Sequence, residues 1–314
     1  MFKKILKGLL VFILALLIIP YFIPFDTNNS IPTKPYENSV FFTTSDGVVL
    51  HTQQWVAQGD YKGKILLIHG LGASTFTYRN NALALSEAGY DVIAVDLPAF
   101  GYSSKKSGLN HSQVQRAIYL WQLLDDYDAN HSNQGPWHLV GHSMGASTVL
   151  AMANQVPTAV RSMTLIDGAV TSNNASMPWI FDTPVGQWLK VAMRYYVLNP
   201  SQFKSFLKSA YNQEPTKAEV TGYLTPLKTK GTISALIDFV KTADNVLITE
   251  LVPKNIPLFL LWGDQDTWVP KSDMDLIKAA VTVTDSHIFP NAGHCSHEVA
   301  SDFNQVLLAM LAKS

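Results

Sequence analysis

Cysteine is almost absent from this sequence of 314 residues, in which Cys295 is the one cysteine. A single cysteine excludes an intramolecular disulfide and argues strongly against a cysteine-based metal site. Net charge is nearly absent as well, at −1 with histidine neutral, and no basic run follows the extreme N-terminus. The sequence therefore gives no case for nucleic acid or an acidic macromolecule as a partner. Its hydrophobic fraction of 47% is enough to build a sizeable core.

Acidic residues are missing from the first 25 positions, where lysines precede a long apolar run. About 20 apolar residues suffice to cross a bilayer, and the basic residues before the run favour an inside N-terminus. No small-x-small cleavage site follows the run. We therefore predict an uncleaved membrane anchor over residues 1–25, with the catalytic domain extracytoplasmic, which means periplasmic in a bacterium. Secretion after signal-peptide cleavage is the alternative, and a buried core helix is a weaker one.

The rest of the chain divides by composition and by the rhythm of its apolar segments. Residues 26–36 are polar and contain prolines, as is typical of a linker. Short apolar strands then alternate with helical segments over residues 37–170 and again over 252–314, which predicts an α/β core with a mostly parallel sheet covered on both faces. Residues 171–251 are too many for a loop. Their aromatic residues fall mainly at helical spacing, so we predict a helical insertion there.

Individual elements can be placed from the same pattern. Strands are predicted at Val40–Thr44, Val48–Val56, Lys64–His69, Asp91–Asp96, Trp137–Gly141, Ser162–Asp167, Pro257–Trp262 and Ser286–Phe289. Helices of the core are predicted at Thr77–Ala88, Ser112–Asp126, Ala146–Asn154, Lys271–Ala280 and His297–Ala312.

A G-x-S-x-G sequence lies between a predicted strand and a predicted helix. Residues 141–145 read Gly-His-Ser-Met-Gly. In this context the turn is sharp enough to strain the central residue and to push its hydroxyl out at the carboxyl ends of the strands. We predict that Ser143 is a catalytic nucleophile. The alternative is a plain strand–turn–helix connection with no chemistry.

A serine hydroxyl needs a base, and the base needs an acid that orients it. His294 follows the last predicted strand, and Asp266 follows the strand before it. Both therefore lie at the sheet end where Ser143 is expected, and we predict His294 as the base and Asp266 as the acid. Asp264 is closer to its strand and is expected to be structural. Asp167, which ends the sixth strand, is the second choice for the acid.

Two backbone N–H groups are expected to stabilise the oxyanion of an acyl-transfer reaction. One is the amide of Met144, directly after the nucleophile. The other is the amide of Leu71, in the glycine-rich loop of residues 69–72 after the first apolar strand. A tight turn without catalytic use is the alternative for this loop. A phosphate-binding loop is disfavoured, because no lysine follows and the G-x-G-x-x-G spacing is missing.

Four sequence blocks resemble the α/β-hydrolase superfamily, in the branch with meta-cleavage-product hydrolases, monoacylglycerol lipases and small esterases. They are residues 69–74, 96–103, 141–145, and 263–266 together with Gly293 and His294. The usual glycine of the second block is Ala99 here, and Cys295 and Ser296 replace the more usual pair after the histidine. The resemblance implies an eight-stranded sheet with a helical cap inserted after the sixth strand. Cap aromatics would then line an apolar pocket over Ser143.

The expected reaction is hydrolysis of a carboxylic ester through an acyl-enzyme on Ser143, without a metal or organic cofactor. An anchor beside the bilayer and an aromatic cap favour a small, lipid-like apolar ester as the substrate. The same triad could instead cleave a C–C bond, a lactone or an amide, and the sequence does not separate these. A non-catalytic binding protein with this fold is disfavoured, because no triad member is missing. The sequence leaves the oligomeric state open.

Overall fold

The computed structural model describes residues 2–172, 178–253 and 255–314. The parts of the predicted anchor, insertion and core that fall on residues 1, 173–177 and 254 lie outside the described residues.

Eight strands form one sheet. They are β1 Ser39–Thr43, β2 Val49–Trp55, β3 Gly63–Ile68, β4 Tyr90–Val95, β5 Trp137–His142, β6 Val160–Ile166, β7 Leu258–Gly263 and β8 Asp285–Phe289. Their order across the sheet is β1-β2-β4-β3-β5-β6-β7-β8. β2 pairs antiparallel with β1 and β4, and the remaining pairs are parallel. The predicted eight-stranded, mostly parallel sheet is confirmed.

Helices cover the sheet and fill the predicted insertion. They are α1 Phe2–Ile18, α2 Ala82–Glu87, α3 Gln113–Asn130, α4 Met144–Gln155, α5 Pro184–Ala192, α6 Pro200–Tyr211, α7 Lys217–Leu227, α8 Thr232–Thr242, α9 Lys271–Ala280, α10 Ser296–Val299 and α11 Phe303–Leu311. Short 3₁₀ turns cover Ile19–Phe22, Thr75–Tyr78, Pro157–Ala159, Pro178–Asp182 and Ile248–Glu250, and a π-helical turn, Met193–Val197, continues α5. Helices α5 to α8 lie between β6 and β7 and form the cap.

Two predicted helices are interrupted. The helix predicted at Thr77–Ala88 is a 3₁₀ turn followed by the short helix α2. The chain leaves the helical path between them because the Asn81 side-chain amide donates to the carbonyl of His297, 2.9 Å away. The helix predicted at His297–Ala312 is divided into α10 and α11. Glu298, in α10, is drawn into a buried polar cluster described below.

Apolar side chains fill both faces of the sheet, as the two-residue period of a strand requires. On β3, Leu66 and Ile68 join the layer under α3, α4 and α9, whereas Ile65 and Leu67 join the layer under α2 and α11. Burial on both faces explains why the central strands are apolar throughout rather than alternating. This rigid sheet fixes the positions of the loops at the carboxyl ends of its strands.

The N-terminal helix is a candidate membrane span. Within Phe2–Phe22, an 18-residue window has a mean hydropathy of 2.5, and 6% of that window is buried within the protein. The start of the predicted linker is not a free tether, however. The Asp26 carboxylate accepts hydrogen bonds from the Ser234 hydroxyl (2.6 Å) and the Ile233 amide (3.2 Å) at the start of α8. The Lys230 amide donates to the Asn29 carbonyl at 2.7 Å. The chain leaving α1 is therefore fastened to the cap.

One glycine controls the crossing of α4 over β3, and its replacement tests this close packing. A Cβ atom on Gly145 would lie 2.3 Å from the Ile68 carbonyl oxygen, so neither backbone could stay in place. We expect Gly145→Ala to lower the free energy of unfolding by about 2 kcal/mol or more, as overpacking does. Thermal unfolding of the full chain in detergent measures the effect. Gly8→Ala is the matched control, because nothing lies within 4 Å of its Cβ position; equal stability of Gly145→Ala and the wild type would contradict the packing argument.

Candidate active site

Ser143 occupies a strained turn between β5 and α4. Its backbone angles are φ 51° and ψ −116°, a region that residues with side chains rarely adopt. The turn is held because the Ser143 amide donates to the Ile166 carbonyl of β6 at 2.8 Å. A Cβ atom on Gly141 would lie 2.5 Å from the Gly145 carbonyl oxygen, so a side chain there would prevent the turn. The predicted G-x-S-x-G turn is thus present, with Ser143 at its tip.

His294 and Asp266 meet on the loops that follow β8 and β7. The His294 Nδ1 atom lies 2.8 Å from Asp266 Oδ2. The other carboxylate oxygen accepts the amides of Trp268 (2.8 Å) and Val269 (3.0 Å), which fixes the carboxylate plane. In the neutral tautomer that donates through Nδ1 to the carboxylate, Nε2 is the nitrogen that can accept a proton. Both groups are buried.

The turn of residues 141–145, called the elbow below, is in direct contact with the loop after β8 that carries His294, called the histidine loop. The His142 Nε2 atom donates to the His294 carbonyl at 2.8 Å, and the two imidazole rings lie 4.9 Å apart. Burial lowers the pKa of His142 well below its usual range, so this ring is a neutral donor. The structure therefore pairs His294 with Asp266 and places this pair against His142, the residue before Ser143. The catalytic roles of Ser143, His294 and Asp266 stay a prediction.

The two other candidate acids have different surroundings. Asp264 is exposed. Asp167 is fully buried and accepts from the Gly263 amide (2.8 Å) and from the Ser296 hydroxyl (2.7 Å) and amide (3.3 Å). Asp167 thus joins the roots of the two loops that carry Asp266 and His294. Burial, reinforced by the charge of Asp266, raises the pKa of Asp167 to about 7, although the nearby His294 opposes the shift.

The glycine-rich loop after β3 passes directly beside the nucleophile. A Cβ atom on Gly70 would lie 2.8 Å from His142 Nδ1 and 3.0 Å from Ser143 Cβ, so this position requires glycine. Leu71, whose amide is a predicted oxyanion donor, has an exposed side chain. Met144 is the first residue of α4, and an amide at that position has no acceptor within its own helix. The role of both amides as oxyanion donors stays a prediction.

His69 holds this loop in place and is not a proton carrier. Its Nε2 atom accepts the Leu97 amide at 3.0 Å, so the proton lies on Nδ1, which donates to the Gly70 carbonyl at 2.7 Å. Burial lowers the pKa of His69 to about 4. The ring therefore stays neutral and links the loop after β3 to the loop after β4.

Asp96 is a second anchor of the same loop, which sequence reasoning missed. Its carboxylate accepts from the Thr75 amide (2.6 Å), the Tyr102 amide (2.7 Å) and His51 Nδ1 (2.7 Å). Burial alone would raise its pKa, but His51 and the amide donors hold the pKa of Asp96 at about 2. A Cβ atom on Gly101 would overlap this carboxylate. One buried carboxylate thus explains why Asp96 and Gly101 occur together in the block of residues 96–103.

Arg116 is a buried cation behind the elbow, and no pattern in the sequence points to it. Its guanidinium lies 3.4 Å from Met144 Sδ and donates to the Pro98 carbonyl at 3.2 Å. It also lies over the rings of Phe100 and Phe239, at 5.2 and 4.7 Å from their centroids. Burial lowers the pKa of Arg116 to about 9. A positive charge therefore lies close to the residue whose amide is a candidate oxyanion donor.

The cap packs directly on the histidine loop. The Cys295 amide donates to the Ala210 carbonyl of α6 at 3.2 Å. Trp268 places its ring 5.3 Å from the His294 ring and donates through Nε1 to Ser209 of α6 at 3.0 Å. Burial raises the pKa of the Cys295 thiol well above its usual range, as expected for a residue that fills space. In the described parts of the chain, no group of three or more His, Cys, Asp or Glu residues could hold a metal ion.

A buried polar cluster around Glu298 links the cap to the core. The Glu298 carboxylate accepts from the hydroxyls of Tyr211 (2.6 Å, on α6) and Tyr223 (on α7), and pairs with Arg79. Arg79 also pairs with Glu219 of α7 at 2.9 Å. One carboxylate, four residues after His294, thus fixes the two cap helices relative to the loop that carries the histidine.

The raised pKa of Asp167 predicts a pH dependence of stability. An unfolded aspartate titrates near 4, roughly, whereas folded Asp167 titrates at about 7. The native state therefore holds the extra proton between these values. Its stabilising contribution is complete below the unfolded pKa and is lost as the pH rises through the folded one. Asp167→Asn imitates the protonated acid, so its stability relative to the wild type should increase from about pH 4 to about pH 7.

Thermal unfolding of both proteins across this pH range measures the difference. The exposed Asp264→Asn is the matched control, and its stability profile should run parallel to that of the wild type. Parallel profiles for Asp167→Asn and the wild type would contradict the assignment.

Comparison with known proteins places this geometry in a family. A profile of the alpha/beta hydrolase fold matches residues 64–301. An uncharacterized hydrolase of Bacillus subtilis, YugF, is 24% identical over 271 residues, 86% of this chain and 95% of its own length. A 2-hydroxy-6-oxononadienedioate/2-hydroxy-6-oxononatrienedioate hydrolase of Escherichia coli is 25% identical over 283 residues, 82% of this chain and 88% of its own length. A membrane phospholipase A, a bacterial virulence factor, shares the fold with a TM-score of 0.69 and 22% identity over 99% of this chain and 98% of its own. Because the profile covers most of the chain, this protein is a member of the alpha/beta hydrolase fold family, a family of hydrolases.

Proposed function

We propose that this protein is a membrane-anchored serine hydrolase that cleaves carboxylic esters of small, lipid-like substrates. The observation that carries the proposal is the 2.8 Å bond between His294 Nδ1 and Asp266 Oδ2. His294 belongs to the loop that contacts the strained turn of Ser143 through His142. Strain at a non-glycine residue is typical of a position where the backbone must present a reactive group.

In the proposed acylation step, His294 Nε2 takes the Ser143 hydroxyl proton while the oxygen attacks the ester carbonyl. The tetrahedral intermediate then collapses, its alcohol leaves with the proton from His294, and the acyl group remains on Ser143. Asp266 stabilises the imidazolium that forms and remains a carboxylate throughout. In the second step, His294 activates water, which attacks the acyl-enzyme and releases the carboxylic acid with Ser143 restored.

The oxyanion would be held by the amides of Leu71 and Met144. The position of Met144 at the start of α4 supports this, because the helix N-terminus carries a partial positive charge. Arg116 adds a full positive charge close to Met144, because its guanidinium lies 3.4 Å from Met144 Sδ. A charge in this buried setting is weakly screened by water, so it would favour negative charge developing at the oxyanion.

An apolar ester is favoured by the surroundings of the triad. The Trp268 ring lies against His294, and the cap helix α6 packs on the same loop. The candidate membrane span would hold the enzyme beside lipid. The similarity of the fold to a membrane phospholipase A is consistent with this setting.

Hydrolysis of a C–C bond is the second candidate. It is favoured by the 25% identity to the Escherichia coli 2-hydroxy-6-oxononadienedioate/2-hydroxy-6-oxononatrienedioate hydrolase. The same serine, histidine and aspartate could serve that reaction, and lactone or amide cleavage as well. A panel of soluble substrates of each type separates them.

Ser143→Ala should abolish hydrolysis of p-nitrophenyl esters, because no other group would form the acyl-enzyme. The assay compares the full-length variant and wild type in detergent over increasing acyl lengths, with labelling by a fluorophosphonate in parallel. Labelling of the wild type without ester hydrolysis would reject the esterase and leave the other bond types. Equal hydrolysis by the variant would remove Ser143 from the mechanism.

Asp266→Asn should lower kcat by about 10³- to 10⁴-fold, because the amide no longer holds the histidine tautomer that leaves Nε2 unprotonated. Asp264→Asn is the matched control, since Asp264 lies two residues away and is exposed; its activity should equal that of the wild type. Steady-state kinetics on one short-chain p-nitrophenyl ester measures both. If the two variants lost activity to the same extent, the assignment of the acid would be wrong.

A further inference from the structure

Helix α5 of the cap turns an apolar stripe outward. Val185, Leu189 and Tyr196 are 56%, 41% and 58% exposed, and Ala192 between them is exposed as well. Their spacing of four, three and four residues places them along one side of the helix and of its π-helical extension. Trp179, in the turn before α5, is 63% exposed. A surface helix normally presents polar residues to water, so an exposed apolar stripe indicates a surface that contacts another molecule or a membrane.

The same helix is bonded to the candidate membrane span. Trp188 donates through Nε1 to the carbonyl of Leu16 at 2.8 Å. Tyr195 donates to the carbonyl of Pro24 at 3.0 Å, and the Lys190 ammonium lies over the Phe25 ring. Helix α5 therefore runs beside the last turns of α1 and the residues that follow them.

Depth follows from helix geometry. The span Phe2–Phe22 has 21 residues, or roughly 30 Å of helix, which is about the thickness of the hydrocarbon layer. All of it is therefore needed to cross. Leu16 lies six residues before the end of the span, at a depth of about 9 Å. Trp188, bonded to Leu16, therefore lies within roughly the outer 5–10 Å of the bilayer, the depth that interfacial helices reach. Tyr195, bonded to Pro24, lies beyond the end of the span, so α5 enters the edge of the bilayer with its N-terminal part.

The connection between α1 and the cap leaves no slack to lift α5 away from the membrane. Asp26 accepts from Ser234 and Ile233 at the start of α8, and Arg194 donates to the Asp26 carbonyl. These bonds fasten the first residue after Phe25 to the cap. Trp188 and Tyr195 are also residue types that favour the membrane interface, where the ring is in an apolar setting and its polar atom is bonded.

We propose that the outer face of α5, together with Trp179, rests in the outer part of a lipid bilayer, so that the enzyme takes its ester from the membrane. Its occupant is the acyl and headgroup boundary of the lipid. The cap that carries α5 also packs through α6 on the loop of His294. This inference rests on the proposed anchor and ester hydrolase, and it adds the surface through which the substrate is met.

Site-directed spin labelling of the full chain in vesicles of phosphatidylethanolamine and phosphatidylglycerol tests the surface without reference to activity. The native Cys295 is buried, so the label attaches to an introduced cysteine, and unlabelled wild type checks this. Leu189→Cys should give a label relaxed by oxygen and shielded from an aqueous nickel chelate. Leu276→Cys is the matched control: Leu276 is 57% exposed on α9, and its label should show the opposite preference.

If the vesicles retain the protein but the label at position 189 is as accessible to nickel as the label at 276, the proposed membrane contact of α5 is wrong. The membrane anchor would still stand. Dimerisation on this face would appear as spin–spin broadening at 189 and would also overturn it. Protein that is not retained by vesicles would overturn the anchor and the inference together.

The activity arm compares Leu189→Glu with Leu276→Glu on two substrates. Leu189→Glu should reduce hydrolysis of p-nitrophenyl palmitate in these vesicles by about tenfold or more, because it replaces an apolar side chain that would be buried in lipid with a charged one. Hydrolysis of p-nitrophenyl butyrate in solution should stay unchanged, and Leu276→Glu should leave both unchanged. An equal loss on both substrates would contradict a role in membrane contact. Failure of the wild type on both esters would instead reject the ester hydrolase.

Discussion

The turn between β5 and α4 is the constraint on which the rest of the site depends. Ser143 can hold φ 51° only because the chain on both sides is packed tightly enough to enforce it. A Cβ atom on Gly141 or Gly145 would collide with backbone, in the latter case with the Ile68 carbonyl. The same tight packing brings α4 across the strand that leads to the glycine-rich loop. Strain at one residue is thus balanced by the packing of three elements.

Around this turn, buried polar groups join the loops at the carboxyl ends of the strands, in addition to apolar contacts. His69 and Asp96 join the loops after β3 and β4. Asp167 joins the ends of the loops after β7 and β8, and His142 joins the elbow to the histidine loop. Buried hydrogen bonds are directional and costly to leave unmade, so they hold loops more exactly than apolar packing does. Catalytic geometry needs that precision.

The cap is tied to the protein at two ends with different chemistry. Near the triad, Glu298 binds Tyr211, Tyr223 and Arg79 in a largely buried cluster. At the opposite connection, Asp26 fastens the chain that leaves α1 to the start of α8. The cap is therefore a continuous body between the candidate membrane span and the histidine loop.

The sequence by itself determined the eight strands, the helical insertion and the residues at the strand ends. Apolar periodicity and the spacing of Ser143, Asp266 and His294 are local signals, and a parallel sheet brings the carboxyl ends of its strands together. The same signals did not predict the break after Tyr78 or the division of the last helix, because side chains distant in sequence compete there with the helix.

Only the tertiary structure decided which groups were buried together. Nothing in the local sequence distinguishes Arg116 from a solvated arginine on an amphipathic helix, yet the fold places it against Met144. Nor does it reveal that Asp167 would be drawn between Gly263 and Ser296, or that Asp26 would cap α8 rather than begin a free linker. Burial and long-range hydrogen bonds depend on elements far apart in the chain. They therefore cannot be predicted from the pattern of charges along the sequence.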